Sequence, residues 1–145
     1  MEKKVILLVE DNPDDETLTT MALREQKVDN DVIVAHDGEE ALEFLGLTGK
    51  NSGKEIPLPT LVLLDLKLPK VDGLEVLKRI RNDARTRLLP VIILTTSTED
   101  MDLTNGYKHG ANSYVRKPVN FNDFHEAIKQ LGLYWLVINL NPPNR

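Results

Sequence analysis

Short runs of consecutive apolar residues alternate along the chain with segments in which apolar residues recur every three or four positions. The continuous runs are rich in branched side chains and predict strands at 5–9, 61–64 and 91–94, with weaker candidates at 31–36 and 113–117. Continuous rather than alternating apolar runs are typical of strands that are covered on both faces. The pattern therefore predicts five strands, three of them in the interior of a sheet.

The segments between these runs have the periodicity of helices that bury one face. They predict five helices, at 12–26, 37–47, 72–83, 97–110 and 120–138. Asn12 is placed to cap the first helix, and Pro13 then occupies its first helical position. Because strands and helices alternate strictly, we expect a parallel sheet with helices on both faces.

Two segments lie outside this alternation. Residues 46–59 are rich in glycine and lysine and predict a long surface loop. Residues 131–140, "LGLYWLVINL", carry apolar side chains around more than one helical face. Such a segment either folds back on its own domain or forms an interface with another chain, and we favour the interface.

Length and composition narrow the class of protein. A chain of 145 residues suits one compact domain, 1–145. The net charge of −5 argues against a nucleic-acid-binding surface, which needs clustered Lys and Arg. The chain has no cysteine, so disulfides and thiolate metal sites are excluded. The apolar runs are too short for a membrane span or a signal peptide, and we expect a cytoplasmic protein.

Polar side chains follow each predicted strand, and those after the second strand lie away from the others in the expected strand order. In open parallel sheets, ligands bind beyond the carboxyl ends of the strands, where the strand order reverses. In the order 2-1-3-4-5, strands one and three are neighbours at that point. The residues concerned are Glu10, Asp11, Asp65, Thr95 and Lys117. We expect the three carboxylates to lie close together, flanked by the threonine and the lysine.

These residue types suit phosphoryl transfer. Three carboxylates this close repel one another unless a cation joins them, and hard oxygen ligands suit Mg²⁺, with Mn²⁺ as the alternative ion. A lysine ammonium and a threonine hydroxyl suit phosphoryl oxygens. There is neither a nearby histidine base nor a glycine-rich phosphate cradle, so the nucleophile would itself be a carboxylate, best placed at Asp65.

Four motifs, in order and each after the expected strand, carry a resemblance to a known family. They are "VEDNPDD" (9–15), "LVLLDLKLPKVDG" (61–73), "PVIILTT" (90–96) and "GANSYVRKP" (110–118). Through them, residues 4–130 resemble the response-regulator receiver domain of two-component signalling. The resemblance implies a flavodoxin-like (CheY-like) three-layer α/β/α fold with a five-stranded parallel sheet in the order 2-1-3-4-5.

The resemblance also implies a metal-dependent phosphoacceptor. Asp65 would take a phosphoryl group from the phosphohistidine of a histidine kinase. Glu10, Asp11 and Asp65 would hold Mg²⁺, with the backbone carbonyl of Lys67 as a further ligand. Such a domain is not an enzyme on other substrates, because it catalyses only its own phosphorylation and dephosphorylation.

Further roles carried by the resemblance fall on the last two strands. Thr95 and Lys117 would contact the phosphoryl oxygens. Tyr114 stands where the family keeps a switch aromatic that turns inward as the threonine moves, with half-buried packing as the alternative. The Lys117–Pro118 peptide bond is expected to be cis.

A narrower resemblance concerns partners. Most of the family carries an output domain after the receiver, whereas this chain ends about fifteen residues after the fifth helix can close the fold. We therefore expect a stand-alone regulator that acts through contact with another protein. The loop at 46–59 and the apolar helix at 131–140 resemble single-domain regulators of phytochrome-type histidine kinases.

The expected partners are such a kinase or a phosphotransfer protein, and a second copy of the chain. The homodimer would form through the fourth helix, the fifth strand and the C-terminal helix. We expect no nucleic acid and no membrane among the partners.

Three alternatives stay open. A Mg²⁺-dependent aspartyl phosphatase would normally need a second acid two residues after the nucleophile, where this chain has Lys67, and it would need a cap domain. A degenerate receiver that is not phosphorylated conflicts with the intact set of acids, threonine and lysine. A relay intermediate that passes the phosphoryl group to another histidine protein is not separated from an endpoint regulator by the sequence.

Overall fold

The chain alternates strictly between strands and helices in a computed structural model that describes residues 3–26, 28–54 and 56–143. The strands are β1 (Lys4–Val9), β2 (Asn30–Ala35), β3 (Leu61–Leu64), β4 (Val91–Thr95) and β5 (Ser113–Arg116). The helices are α1 (Pro13–Arg24), α2 (Gly38–Phe44), α3 (Gly73–Asn82), α4 (Asp100–Lys108) and α5 (Phe121–Leu133).

The five strands form one parallel sheet in the order β2-β1-β3-β4-β5. This confirms the predicted order and the flavodoxin-like architecture. The order reverses between β1 and β3, where Val9 lies opposite Leu64. The carboxyl ends of these two strands therefore meet at one edge of the sheet, which is where the chemistry was expected.

Successive residues of the central strands belong to two hydrophobic cores, one on each face of the sheet. Every residue of β3 and β4 is buried. Because side chains alternate between the faces of a strand, Val62 and Leu64 pack with α2 and α3, whereas Leu61 and Leu63 pack with α1 and α5. The continuous apolar runs arise because both faces of the sheet are covered.

Side-chain caps fix the starts of four helices. Asn12 Oδ1 accepts hydrogen bonds from the backbone N–H groups of Asp14 and Asp15, at 2.9 and 3.1 Å. Asp37, Asp72 and Asn120 cap α2, α3 and α5 in the same way. α4 differs, because its N-cap residue Glu99 makes no side-chain capping hydrogen bond. This helix starts at residue 100 rather than at the predicted residue 97.

The C-terminal segment 131–140 folds back in part on its own domain, and the interface with another chain stays a prediction. α5 ends at Leu133 rather than at residue 138, and a π-helical turn, Tyr134–Ile138, follows it. Leu131 and Leu136 are buried against the core on the α1 and α5 side of the sheet. Four apolar side chains in or just after this turn are exposed: Tyr134, Val137, Ile138 and Leu140.

The long loop at 46–59 lies between α2 and β3 and contains a short 3-10 helix, Gly49–Asn51. It is tied down by Arg85, whose guanidinium donates to the carbonyl oxygens of Leu45 and Ile56. The loop leads into the amino end of β3. This end lies at the opposite edge of the sheet from the carboxyl ends of β1 and β3.

The prediction of a cis peptide bond between Lys117 and Pro118 is wrong. The part of the chain that the structure describes contains no cis peptide, and the Lys117–Pro118 bond is trans. Trans is the lower-energy isomer of an X–Pro bond by about 0.5–1 kcal/mol. The Lys117 side chain reaches the predicted site in this conformation.

Within the described residues, no helix is long and apolar enough to cross a membrane. The cytoplasmic location stays a prediction.

One guanidinium holds together the end of α3 and the loops before β4 and β5. Arg81 donates to the carbonyl oxygens of Gly110, Leu89 and Arg87, at 2.9, 2.7 and 3.2 Å, and to Asn112 Oδ1 at 2.9 Å. Burial lowers the pKa of this guanidinium. Its acceptors are neutral, so the side chain works as a hydrogen-bonding clamp rather than as half of an ion pair.

Replacing Arg81 with methionine keeps much of the apolar stem and removes this clamp. We expect the free energy of unfolding to fall by about 2–4 kcal/mol, because charge-assisted hydrogen bonds are lost and partly buried carbonyls stay unpaired. Urea unfolding followed by circular dichroism measures the change. The matched control is R79M on the exposed face of α3, which should stay within about 0.5 kcal/mol of the wild type. Equal midpoints for the two variants would contradict the clamp.

Candidate functional site

The residues that follow the strands converge at the carboxyl edge of the sheet. Glu10 follows β1, Asp65 follows β3, Thr95 ends β4 and Lys117 follows β5. Their exposed fractions are only 1, 7, 0 and 6%, respectively, whereas Asp11 is exposed. Four polar side chains buried together outside the core indicate a site whose charges act in a partly dehydrated environment.

The ammonium group of Lys117 lies at the centre of the site. Its Nζ donates to Glu10 Oε1 at 2.7 Å, to Asp15 Oδ2 at 2.9 Å and to Asp65 Oδ2 at 3.0 Å. A lysine ammonium has three N–H donors, and each has a carboxylate acceptor here. Since one positive charge faces three carboxylates, the site keeps an excess of negative charge.

Asp15 is the residue of this set that the sequence analysis missed. It lies in the first turn of α1 and reaches back over the end of the sheet to Lys117. The motif "VEDNPDD" contains it, but acidic residues in a first helical turn also occur simply because they favour the positive end of the helix. Only three residues separate the end of β1 from the start of α1, and this short connection brings the turn beside the site.

Backbone groups orient the two buried acids. Glu10 Oε2 accepts a hydrogen bond from the N–H of Asn12 at 3.2 Å. Asp65 Oδ1 accepts from the N–H of Lys67 at 3.3 Å. Each carboxylate therefore uses one oxygen for the backbone and the other for Lys117.

Burial and pairing shift the pKa values of the two most enclosed groups. Burial above all, with the charge of Asp65, raises the pKa of Glu10 to about 7, against the hydrogen bond and the charge of Lys117. For Lys117, burial alone would lower the pKa. The hydrogen bonds that Lys117 donates to Glu10 and Asp15, with the charge of Asp65, more than offset the effect of burial, so the pKa is raised and the ammonium stays charged.

The three predicted metal ligands fit a divalent cation. One carboxylate oxygen each from Glu10, Asp11 and Asp65 lies within 4.8 Å of the other two. These are hard oxygen ligands of the kind that Mg²⁺ and Mn²⁺ prefer, and the excess negative charge of the site favours a cation there. Asp11 is exposed, so the cluster opens to solvent. The backbone carbonyl of Lys67 as a further ligand stays a prediction.

Thr95 and Tyr114 lie on neighbouring strands beside α4. The Thr95 side chain is fully buried, and its Oγ1 accepts a hydrogen bond from the N–H of Ser97 at 3.3 Å. The half-buried Tyr114 has a hydroxyl oxygen with no hydrogen-bond partner in the described chain, and burial raises its pKa. A Cβ at Gly106 would lie 3.1 Å from the Tyr114 ring, so α4 packs directly on this ring.

The fold and the site together are those of a class of protein, the receiver domains with a doubly wound parallel sheet. The family model "Response regulator receiver domain" matches residues 6–129. The chain therefore belongs to the response-regulator receiver family, which confirms the resemblance inferred from its motifs.

Relatives with curated descriptions match nearly end to end. The "Probable methanogenesis regulatory protein FilR2" of Methanothrix harundinacea is 42% identical over 138 residues, covering 95% of this chain and 87% of the relative. "Response regulator Rcp1" of Synechocystis is 38% identical over 133 residues, covering 92% of this chain and 89% of the relative.

Solved structures of response regulators are similar to this chain over nearly its whole length. The Mn²⁺-bound form of Rcp1 has a TM-score of 0.88 at 37% identity and covers 96% of this chain and 99% of that one. The phosphorylated cyanobacterial phytochrome response regulator RcpA has a TM-score of 0.90 at 35% identity and covers 97% and 99%. These matches confirm the narrower resemblance to phytochrome-associated regulators.

Proposed function

We propose that this protein is a response regulator whose Asp65 accepts a phosphoryl group from the phosphohistidine of a histidine kinase. The observation that carries the proposal is the placement of Asp65. Its carboxylate ends a buried strand, touches the Lys117 ammonium and lies within 4.8 Å of carboxylate oxygens of Glu10 and Asp11. A carboxylate so placed has a cationic partner for the incoming phosphoryl oxygens and an opening to solvent beside Asp11.

In the transfer, a carboxylate oxygen of Asp65 attacks the phosphorus atom and the P–N bond to the donor imidazole breaks. The electron pair returns to the imidazole nitrogen, and an acyl phosphate forms on Asp65. Lys117 offsets negative charge on the transferred group, and the hydroxyl of Thr95 is the further donor. Glu10, Asp11 and Asp65, with the Lys67 carbonyl, would hold Mg²⁺ or Mn²⁺, which supplies charge neutralisation at the phosphoryl oxygens.

Acetyl phosphate with Mg²⁺, followed by intact-mass measurement, tests this function without the kinase. We expect one phosphoryl mass on the wild type and none when EDTA is present, because the acidic cluster then lacks its cation. An unmodified wild type that is folded and binds Mg²⁺ would overturn the phosphoacceptor assignment.

The output of phosphorylation is a changed protein contact. α4 and β5 are the elements that respond, because the Tyr114 ring of β5 packs on α4 at Gly106 and the N-cap residue of α4, Glu99, makes no side-chain capping hydrogen bond. Two arrangements of α4 and β5 that are close in free energy would let phosphorylation favour one of them. The domain is thus a phosphoacceptor rather than an enzyme on external substrates, and the absence of an acid at Lys67 argues against the phosphatase alternative.

The partners follow from the relatives and from the exposed surface. The similarity to RcpA, a phosphorylated cyanobacterial phytochrome response regulator, supports a phytochrome-type histidine kinase as the donor. The exposed apolar side chains of the C-terminal turn support a homodimer, which would extend over α4 and β5. Light scattering with and without beryllofluoride tests this, and an unchanged monomer in both conditions removes the dimer.

A further inference from the structure

A chain of side-chain contacts joins the site to the start of α4. The hydroxyl of Ser97, whose N–H donates to Thr95, donates to Asp102 Oδ2 at 2.6 Å. The same carboxylate oxygen lies 3.5 Å from the ammonium Nζ of Lys67. Asp102 belongs to the first turn of α4, and Lys67 lies two residues after Asp65. The pair therefore spans the gap between the β3–α3 loop and α4.

The two members of this pair are unequal. The Asp102 side chain is only 13% exposed and is held by Ser97, whereas the Lys67 side chain is 65% exposed. A lysine ammonium sits on a flexible four-carbon stem, so Lys67 is the mobile end of the pair. Its backbone N–H already donates to Asp65 Oδ1, which keeps the base of this stem beside the phosphoacceptor.

We infer that Lys67 and Asp102 form an electrostatic latch, closed in the unphosphorylated protein and opened when the phosphoryl group on Asp65 attracts the Lys67 ammonium. The inference rests on the proposed phosphorylation of Asp65. With the same metal ion bound in both states, an acyl phosphate carries about one more negative charge than the carboxylate that it replaces. Asp102 offers a single charge, already shared with the Ser97 hydroxyl, so the balance of attraction on Lys67 moves toward Asp65.

Opening the latch has a direct effect on α4. Asp102 is left mostly buried without its cation, which is unfavourable, and it gains solvation if the first turn of α4 moves outward. The N-cap residue of this turn, Glu99, makes no side-chain capping hydrogen bond, so the turn is held at its start by the Ser97 hydroxyl, which accepts from the Glu99 N–H at 3.2 Å. Met101 and Tyr107 are exposed on the same helix, so the movement changes an apolar surface that a partner protein can contact.

The chain contains a matched control pair. Lys70 Nζ lies 3.6 Å from Asp37 Oδ2, with side chains 61% and 17% exposed. Lys70 lies in the same loop as Lys67 and pairs with a similarly enclosed carboxylate in the cap of α2. An effect on α4 that comes merely from the loss of one lysine in this loop should appear equally when Lys70 is replaced.

Hydrogen exchange of the backbone amides at 99–104 tests the latch. With beryllofluoride as the phosphoryl mimic, exchange in the wild type should rise by about threefold, the effect expected of one partly exposed ion pair. K67M keeps the apolar stem of the side chain without its charge. Its amides at 99–104 should therefore exchange at the raised rate without beryllofluoride. K70M should match the unliganded wild type. An unliganded K67M that is as protected as the wild type would overturn the latch.

A charge swap separates the latch from simple loosening. K67E places two acids together and should raise exchange, and K67E/D102K restores an ion pair of opposite polarity and should restore protection. An acidic side chain at position 67 is repelled by a phosphoryl group, so acetyl phosphate should leave α4 of the double variant protected. Loosening equal to that of the phosphorylated wild type would overturn the inference.

Intact mass and hydrogen exchange, both read on samples treated with acetyl phosphate and Mg²⁺, distinguish the two levels of proposal. A wild type that gains no phosphoryl group contradicts the proposed function. A wild type that gains it while exchange at 99–104 stays constant contradicts the latch alone. The unliganded comparison of K67M with K70M needs no phosphorylation and decides on the latch by itself.

Discussion

Replacing Asp65 with asparagine should abolish the gain of one phosphoryl mass in acetyl phosphate and Mg²⁺. The amide has nearly the same shape as the carboxylate, but it is neutral and a poor nucleophile toward phosphorus. The initial rate of labelling, followed by intact mass, should fall by at least about a hundredfold. The fold should persist, because the β3 residues that support this position stay unchanged and fully buried.

The control for this variant is D72N in the same loop. Asp72 caps α3 through its Oδ1, and asparagine caps helices equally well, so D72N should label at the rate of the wild type. Labelling of D65N at the wild-type rate would show that the phosphoryl group goes to another residue. Peptide mapping would then identify that residue.

Replacing Lys117 with methionine should weaken both folding and phosphorylation. Without the ammonium, the carboxylates of Glu10, Asp15 and Asp65 face one another with no positive partner. Removing one member of a buried ion pair costs about 3–5 kcal/mol, because the remaining charge stays desolvated. We expect the free energy of unfolding to fall by about 3 kcal/mol, and the labelling rate by at least tenfold, since the transferred phosphoryl oxygens lose their cation.

Urea unfolding and intact mass measure these two effects separately. K108M, at the exposed end of α4, is the matched control and should stay within about 0.5 kcal/mol of the wild type. Added Mg²⁺ should recover part of the lost stability in K117M, because a cation then stands among the carboxylates. Unchanged stability and labelling in K117M would contradict the central role of this ammonium.

The convergence of Glu10, Asp11 and Asp65 could be predicted because it depends only on topology. Parallel strands place their carboxyl ends at one edge, so residues that follow β1 and β3 must meet there once the strand order is known. The contact of Asp15 could not, because it depends on the direction in which α1 leaves that edge. The spacing of apolar residues along the sequence does not indicate that direction.

The C-terminal segment shows a second limit. Apolar residues all around a helix are compatible with burial on any side, so the sequence left both alternatives open. The wider π-helical turn, closed by the hydrogen bond from Asn139 N–H to the Tyr134 carbonyl at 2.6 Å, is what turns Leu136 into the core. The isomer of the Lys117–Pro118 bond was likewise beyond the sequence, because the two forms differ by little free energy.

The loop that Arg85 ties to the end of α2 offers a practical handle on this protein. It enters β3 at the amino end, so the length of that strand separates it from Asp65. Ser52 in this loop is exposed, and the chain has no cysteine. Ser52→Cys therefore gives one thiol for a fluorophore or a surface tether, with the phosphorylation chemistry and the α4 face left free for kinase and partner.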